Sequence, residues 1–462
     1  MKIKKLHFLI LMIVVLDFSC SERRAAIEKP NIVFMLADDC SYWDIGIYGG
    51  IQGITPNIDQ LAGDGMKFTT CYQSAPMCSP TRHNIYTGLY PIKTGAYPNH
   101  TMVNAGTKSV VQYLKPLGYR VALAGKRHIH PESIFSFEYL TEGNEVDAYP
   151  KIDAFMKDAK TKGEPFCLFF CSREPHTPWD KGDPSKFPPD QLKLPPFFVD
   201  TEDTRAHFSR YLAEINYLDW QVGQVLDLIE NNKLKDNTLV IFASEQGNSF
   251  PFAKWTCYDV GVRSAFIARW PGVIEPGAVS DALIEYVDVL PTFIEIAGGI
   301  PPDLLDGKSL LKVMNGQSQT HKEYAYSLQT TRGINNGSEY YGIRSVASDK
   351  YRYILNLTPE VPFKNNITER ETWWESWKDV AKEDPSAAKL VRRYQYRPAV
   401  ELYDLDNDPF NMNNLTDDPA YEETVKLLHG KLLDWMARCG DNGQQTEMEA
   451  FDHMPKYVNN SK

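Results

Sequence analysis

Two strand-end pairs, one of two acids and one of an acid and an amide, and one cysteine are the residues of this chain whose types and placement could do chemistry together. Asp38-Asp39 ends the apolar run "NIVFMLADD", residues 31 to 39, and Glu245-Gln246 ends a run of the same design, "TLVIFASEQG", residues 238 to 247. A lone Asp-Asp reads as a solvated loop pair; the repeat of the design at a second strand end makes a candidate metal site. Three carboxylates and an amide are hard oxygen donors with no histidine or thiolate among them, a set that suits calcium or magnesium better than zinc. Cys78 opens "CSPTRHNIYTG", residues 78 to 88, and alone it reads as a small buried hydrophobe. Pro80, two residues on, favours the first turn of a helix and so places Cys78 just before a helix N-terminus, where backbone amides favour anionic oxygens. Arg82 adds a fixed cation one turn later. The stretch reads as an anion site with a reactive residue at its mouth.

The elements that must position these residues alternate strand and helix from Asn31, which predicts an α/β core. Apolar strands are expected at 31–39, 118–126, 165–176, 238–247 and 264–272. Helices are expected at 55–65, with Thr55 as N-cap and Pro56 at the first helical position, at 203–231 and near 286–298. Several strand ends carry acids, lysines or histidines, and ligand sites in open α/β sheets gather at such ends. After about Gly316 the composition turns polar and aromatic, with short strands in "YGIRSVASDKYRYIL" and a tryptophan-rich helix in "ETWWESWKDVAKE", whose rings are expected to pack on the core. The expected division is a leader at 1–20, a large domain at 27–315 and a smaller α+β domain at 316–462.

Lys2, Lys4 and Lys5 before the apolar run Leu6 to Leu16 have the order of an export signal, too short to span a bilayer. The chain is expected to be exported, as a periplasmic, secreted or outer-membrane protein. Cys20 is either a lipid-anchored first residue of the mature chain or lies beside a simple cleavage site, since Asp17 and Phe18 match a lipoprotein box poorly. A formal net charge of −11 argues against a nucleic-acid partner, so an anionic substrate must be drawn by a local cluster of cations. Eight cysteines in 462 residues are too sparse to imply a disulfide framework. Cys167 and Cys171, four residues apart on one strand, sit roughly 13 Å apart and cannot bridge each other.

Cys78-Ser79-Pro80-Thr81-Arg82, with Thr87-Gly88 following, resembles the signature of the type I sulfatases, in which the cysteine is oxidised to Cα-formylglycine. Further hallmarks follow in order: "GKRH" (125–128), "PHTP" (175–178), "SEQG" (244–247), "KWTCYDVGVR" (254–263), "ARWPG" (268–272), "DVLPT" (288–292) and "LYDLDNDP" (402–409). The resemblance spans roughly residues 30 to 418. It implies an alkaline-phosphatase-like fold, with a large, mixed, mostly parallel sheet sandwiched by helices and a smaller C-terminal α+β domain. It also implies sulfate-ester hydrolysis and a maturation enzyme that makes the formylglycine. In that chemistry the aldehyde hydrates to a geminal diol, one hydroxyl attacks sulfur, and the second expels sulfate and regenerates the aldehyde.

The resemblance further implies a Ca2+ ion, with Mg2+ as the alternative, held by Asp38, Asp39, Glu245, Gln246 and the residue at position 78. It assigns Arg82, Lys126 and Lys254 to the sulfate charge, His128 to the formylglycine and His176 to the leaving oxygen. Two departures stand out: Thr81 replaces serine, and Glu245-Gln246 replaces Asp-Asn with side chains one methylene longer, which requires either a strand end set further back or an altered metal geometry. His100, Arg173, Trp179, Trp255 and Arg332 lie near the motifs and have the aromatic and basic character that suits a sulfated sugar. Asp288 is read as ordering the core. Two rivals remain at this point, a phosphomonoester or phosphonate-ester hydrolase of the same superfamily and a non-catalytic glycan-binding lipoprotein whose Cys78 stays a thiol.

Overall fold

The computed structural model describes residues 29–51, 53–141 and 148–454; the expected export signal and Cys20 lie outside them. Nine strands form the large sheet: β1 (Asn31–Asp38), β2 (Met66–Tyr72), β3 (Arg120–Gly125), β4 (Glu138–Tyr139), β5 (Phe166–Cys171), β6 (Thr238–Glu245), β7 (Arg263–Arg269), β8 (Ala278–Ser280) and β9 (Ile284–Glu285). Their order is β4-β3-β5-β1-β6-β7-β2-β8, with β9 beside β2. Only β7 runs against its neighbours, so the sheet is mixed and mostly parallel as expected. A parallel sheet must bury both faces, and these strands are accordingly near-continuous apolar runs.

Alternate residues of each strand feed two separate cores. Val33, Met35, Leu168, Phe170, Val240 and Phe242 face the long helix Glu202–Asn231, while Ile32, Phe34, Leu36, Phe169 and Ile241 face the helices Cys78–Thr87 and Val289–Ile296. The long helix begins where Thr201 accepts a hydrogen bond from Thr204 N–H, with Glu202 and Asp203 favourably placed in its first turn. Pro56 does open its helix, but the Thr55 hydroxyl is not its cap: it accepts from Gly46 N–H and donates to Asp59 instead.

The second sheet is antiparallel, in the order β10 (Ala325–Thr330), β11 (Gly342–Ala347), β12 (Tyr351–Asn356) and β13 (Val400–Asp404). It docks at the end of β2, where Leu328 N–H bonds Ser74 O and the Ser327 hydroxyl bonds Gln73 O. The helix Thr372–Val380 buries Trp373, Trp374 and Trp377 in the same core as the long helix, as its tryptophans suggested. Asp288 is buried and orders its surroundings, accepting from the Glu285 and Lys308 amides and pairing with Lys322. Among the described residues the seven cysteines are free and buried, and no helix is long and apolar enough to cross a membrane.

Candidate active site

β1 and β6 run side by side in unbroken register up to the pair Asp38 and Glu245. Register therefore brings the two sequence-distant acids together. Asp39 and Gln246 then leave the strands with φ of 60° and 36°, a left-handed backbone uncommon outside glycine and typical of functional turns. Gln246 Nε2 donates to Asp39 Oδ1 at 2.6 Å. The longer Glu245 side chain reaches Arg82, whose Nε and Nη2 both donate to Glu245 Oε1.

Cations enclose this acidic floor. Lys126, just past the end of β3, pairs with Asp38, and Lys254 pairs with Asp39 at 2.5 Å. Lys126, His176 and Arg82 hold the Asp38 carboxyl well below the usual range despite its burial. Burial pushes Glu245 well up, against the pull of Arg82, and the Asp38 charge beside it pushes the same way. Two buried carboxylates crowded on adjacent strand ends are a standing demand for positive charge.

The structure permits a test of whether a cation fits. Asp38 Oδ1, Glu245 Oε2 and Gln246 Oε1 are buried acceptors without a hydrogen-bond partner. Buried acceptors left unpaired are costly, and these three belong to the residues expected to hold a metal. Among the described residues no three His, Cys, Asp or Glu side chains are gathered as a ready metal cluster. The reason is local: the carboxylates are turned to Arg82, Lys126 and Lys254, and the fourth donor is an amide. The oxygen-only set with its unpaired acceptors fits a hard divalent cation.

Cys78 is the first residue of the helix Cys78–Thr87, with Met77 in the capping position, one residue from the expected placement. Burial pushes its thiol up to about 11, with Lys126 opposing. His128 Nδ1 lies 3.1 Å from Cys78 Sγ, and His128 Nε2 lies 2.9 Å from His100 Nδ1. Burial, reinforced by Lys126 and His100, holds His128 well below its ordinary value and so favours the neutral imidazole. His176 approaches Asp39 Oδ2 at 3.5 Å through Nε2, with Nδ1 2.6 Å from the Thr177 carbonyl.

Above the floor opens a cavity of about 450 Å³ lined by Asp38, Cys78, Lys126, His128, His176 and Lys254. Arg82 lies beneath it, fully buried, and acts through Glu245 and the Lys126 carbonyl, to which its Nη1 donates at 3.0 Å. Of the residues expected to touch substrate, His100, Arg173 and Trp255 line the cavity. Trp179 and Arg332 do not. Trp179 is buried between Phe250 and Trp373, at centroid distances of 5.1 and 5.5 Å. The Arg332 guanidinium is clamped between the rings of Tyr340 and Phe451, 3.7 and 4.1 Å from their centroids, and bonds Glu339. The C-terminal region contributes wall residues absent from the sequence expectation, Asn335, Asn366 and Glu371. Only Glu371 carried a signal, as the first residue of the tryptophan-rich stretch.

The Sulfatase family model matches residues 30–300, and the model for the C-terminal region of N-sulphoglucosamine sulphohydrolase matches residues 247–360. An ulvan-active sulfatase of Formosa agariphila is 36% identical over 442 residues, which span 92% of this chain and 83% of the relative. Human N-sulphoglucosamine sulphohydrolase is 26% identical, with 89% of this chain and 90% of the human protein covered. Among solved structures, one in complex with its substrate D-glucosamine-2-N,6-O-disulfate superimposes with a TM-score of 0.68 at 20% identity, over 90% of this chain and 99% of the other. A 2-O glycosaminoglycan sulfatase superimposes with a TM-score of 0.66 at 21% identity, over 90% of this chain and 93% of that one. These two show the shared fold. With more than half of its length matched by the family model, and a relative sharing over a third of its residues along nearly the whole chain, the protein belongs to the sulfatase family and hydrolyses sulfuric esters.

Proposed function

We propose that the protein is an exported, formylglycine-dependent sulfatase that removes sulfate from sulfated carbohydrates with the help of a divalent cation, calcium before magnesium. The observation that carries this reading is the meeting of Cys78, His128, Lys126 and Lys254 over buried, unpaired carboxylate and amide oxygens. Burial pushes the Cys78 thiol up to about 11, away from the reactive thiolate, and this reading assigns the attack to the aldehyde that a maturation enzyme would make from it. The hydrated aldehyde supplies one hydroxyl to attack sulfur and a second through which sulfate is released. Asp38, Asp39, Glu245 and Gln246, with the residue at position 78, would hold the cation, which would lower the pKa of that nucleophile and polarise the sulfate oxygens.

The remaining work falls to the chain's own groups. Lys126 and Lys254 face the cavity and neutralise the sulfate; Arg82 holds Glu245 and the Lys126 backbone from below. His128 Nδ1 accepts the proton of the hydroxyl at position 78. His176, whose Nδ1–H bonds the Thr177 carbonyl, must take a second proton on Nε2, beside Asp39 Oδ2, and as an imidazolium donates that proton to the leaving oxygen. Arg173 and Trp255 on the rim, with Asn335, Asn366 and Glu371 opposite, have the charged, aromatic and hydrogen-bonding character of a sugar subsite. The ulvan-active relative supports a sulfated polysaccharide as the source of substrate. The basic, apolar N-terminus supports export, with a lipid anchor at Cys20 as its membrane-attached form.

The test is sulfate release from defined sulfated saccharides, with aryl sulfate and aryl phosphate in parallel. The reading predicts release from a saccharide or aryl sulfate in preference to phosphate, and its loss in Cys78→Ala with an unchanged circular dichroism spectrum. Full activity in Cys78→Ala, or preference for the phosphate ester, contradicts it.

A further inference from the structure

His100 was expected to touch substrate, yet its ring nitrogen is spent on another side chain. The chain of contacts is Cys78 Sγ to His128 Nδ1 at 3.1 Å, then His128 Nε2 to His100 Nδ1 at 2.9 Å, with the two rings 4.7 Å apart. We propose that His100 is a positioning residue: it accepts a hydrogen bond from His128 Nε2–H and so fixes the tautomer in which His128 Nδ1 presents its lone pair to position 78. The inference rests on the proposed function, in which that position must lose a proton.

A neutral imidazole carries one N–H, so two arrangements of the chain exist. In one, His100 Nδ1–H donates to His128 Nε2, His128 carries its proton on Nδ1, and no lone pair faces position 78. In the other, His128 Nε2–H donates to His100 Nδ1, and His128 Nδ1 is free to accept. Only the second allows a hydroxyl at position 78 to pass its proton to His128 Nδ1; the ring then holds both protons, with Nε2–H still bonded to His100. The hydrogen bond on the far nitrogen of a catalytic histidine decides which nitrogen is basic.

The backbone supports this role. Both histidines sit in the left-handed region, at φ 56° for His100 and 51° for His128, a conformation that histidine tolerates better than most residues and that persists only where surroundings enforce it. The enforcement on His100 comes from the C-terminal region. Asn99 N–H bonds Arg332 O at 3.2 Å, and Gly333, at φ 81°, lies so close that an added Cβ would stand 2.2 Å from Asn99 O. The clamped Arg332 thus has a structural reason: its backbone holds the loop that carries His100.

Two variants of the full matured chain separate positioning from mere packing. His100→Phe keeps a ring and removes the acceptor; His100→Asn restores an acceptor near the place of Nδ1 and tolerates the left-handed backbone. The expected result is a fall in kcat of about 10- to 100-fold with little change in KM for His100→Phe, and recovery of most of kcat in His100→Asn. Nitrogen-15 spectra of the histidines, assigned by difference with His128→Gln, read the tautomer without turnover: His128 should be Nε2–H in the wild-type protein and lose that preference in His100→Phe. The proposal is overturned by an Nδ1–H His128 in the wild-type protein, by wild-type kcat in His100→Phe, by equal losses in both variants, or by a raised KM alone. If the protein lacked sulfatase turnover while the spectra showed the His100-dependent tautomer, the functional reading would fail and the positioning would stand.

Discussion

Glu245 joins the acidic floor of the site to its cations. A carboxylate at the end of β6, opposite Asp38, reaches Arg82 with one oxygen and leaves the other buried and unpaired. If that oxygen and the Gln246 carbonyl belong to a cation site, Glu245→Ala and Gln246→Ala should each lower bound divalent metal as measured by elemental analysis, with affinity down about 10- to 100-fold; unchanged metal in both would remove them from the ligand set. His83, one residue beyond Arg82, gives a prediction in pH. It is fully buried, with Nδ1 2.7 Å from Ser79 O and Nε2 accepting from His130 N–H at 3.0 Å, and burial lowers its pKa to about 4 from 6.5. The unfolded chain therefore binds this proton first as pH falls. The stability held by the neutral ring is complete above about pH 6.5 and is lost as pH drops through 4, amounting to about 3 kcal/mol in all. Denaturant unfolding of His83→Gln beside wild type should show the gap between them narrowing across that window, and a constant gap would contradict the assignment.

At the scale of elements, the strands that carry the floor were legible because each is an apolar run that stops at an acid or a lysine, and parallel register does the rest. The helix opening at Cys78 was legible from Pro80 to within one residue. That Arg332 and Trp179 do not line the cavity is not legible in the sequence, because nearness in sequence says where a backbone goes and nothing of the rings that enclose the side chain. Asn335 and Asn366 could not be found for the converse reason: they come to the cavity from connections between strands of the second sheet, Asn335 in a turn and Asn366 at the start of the helix Asn366–Arg370, through tertiary approach without a periodic pattern. The close contact of Gly333 with the Asn99 carbonyl makes that approach testable. Gly333→Ala should cost about 1–3 kcal/mol in unfolding free energy and lower turnover by displacing His100. Wild-type stability and turnover in that variant would show that the loop is not held there.

At the scale of the molecule, the second sheet is part of the enzyme's working structure. Tyr341, Ile343 and the three tryptophans of Thr372–Val380 share one core with β1, β5 and β6, so the expected division at 315/316 marks a change of sheet inside a continuous apolar interior. That continuity lets the C-terminal region wall a cavity whose chemistry is built on the first sheet. In the proposed function the cysteine in the middle of this arrangement is a precursor, matured after translation into the nucleophile. The most direct test is the mass of the peptide containing residue 78 in protein purified from its native host. An aldehyde or its hydrate is expected in place of the thiol, and a uniformly unmodified thiol would overturn the proposed function.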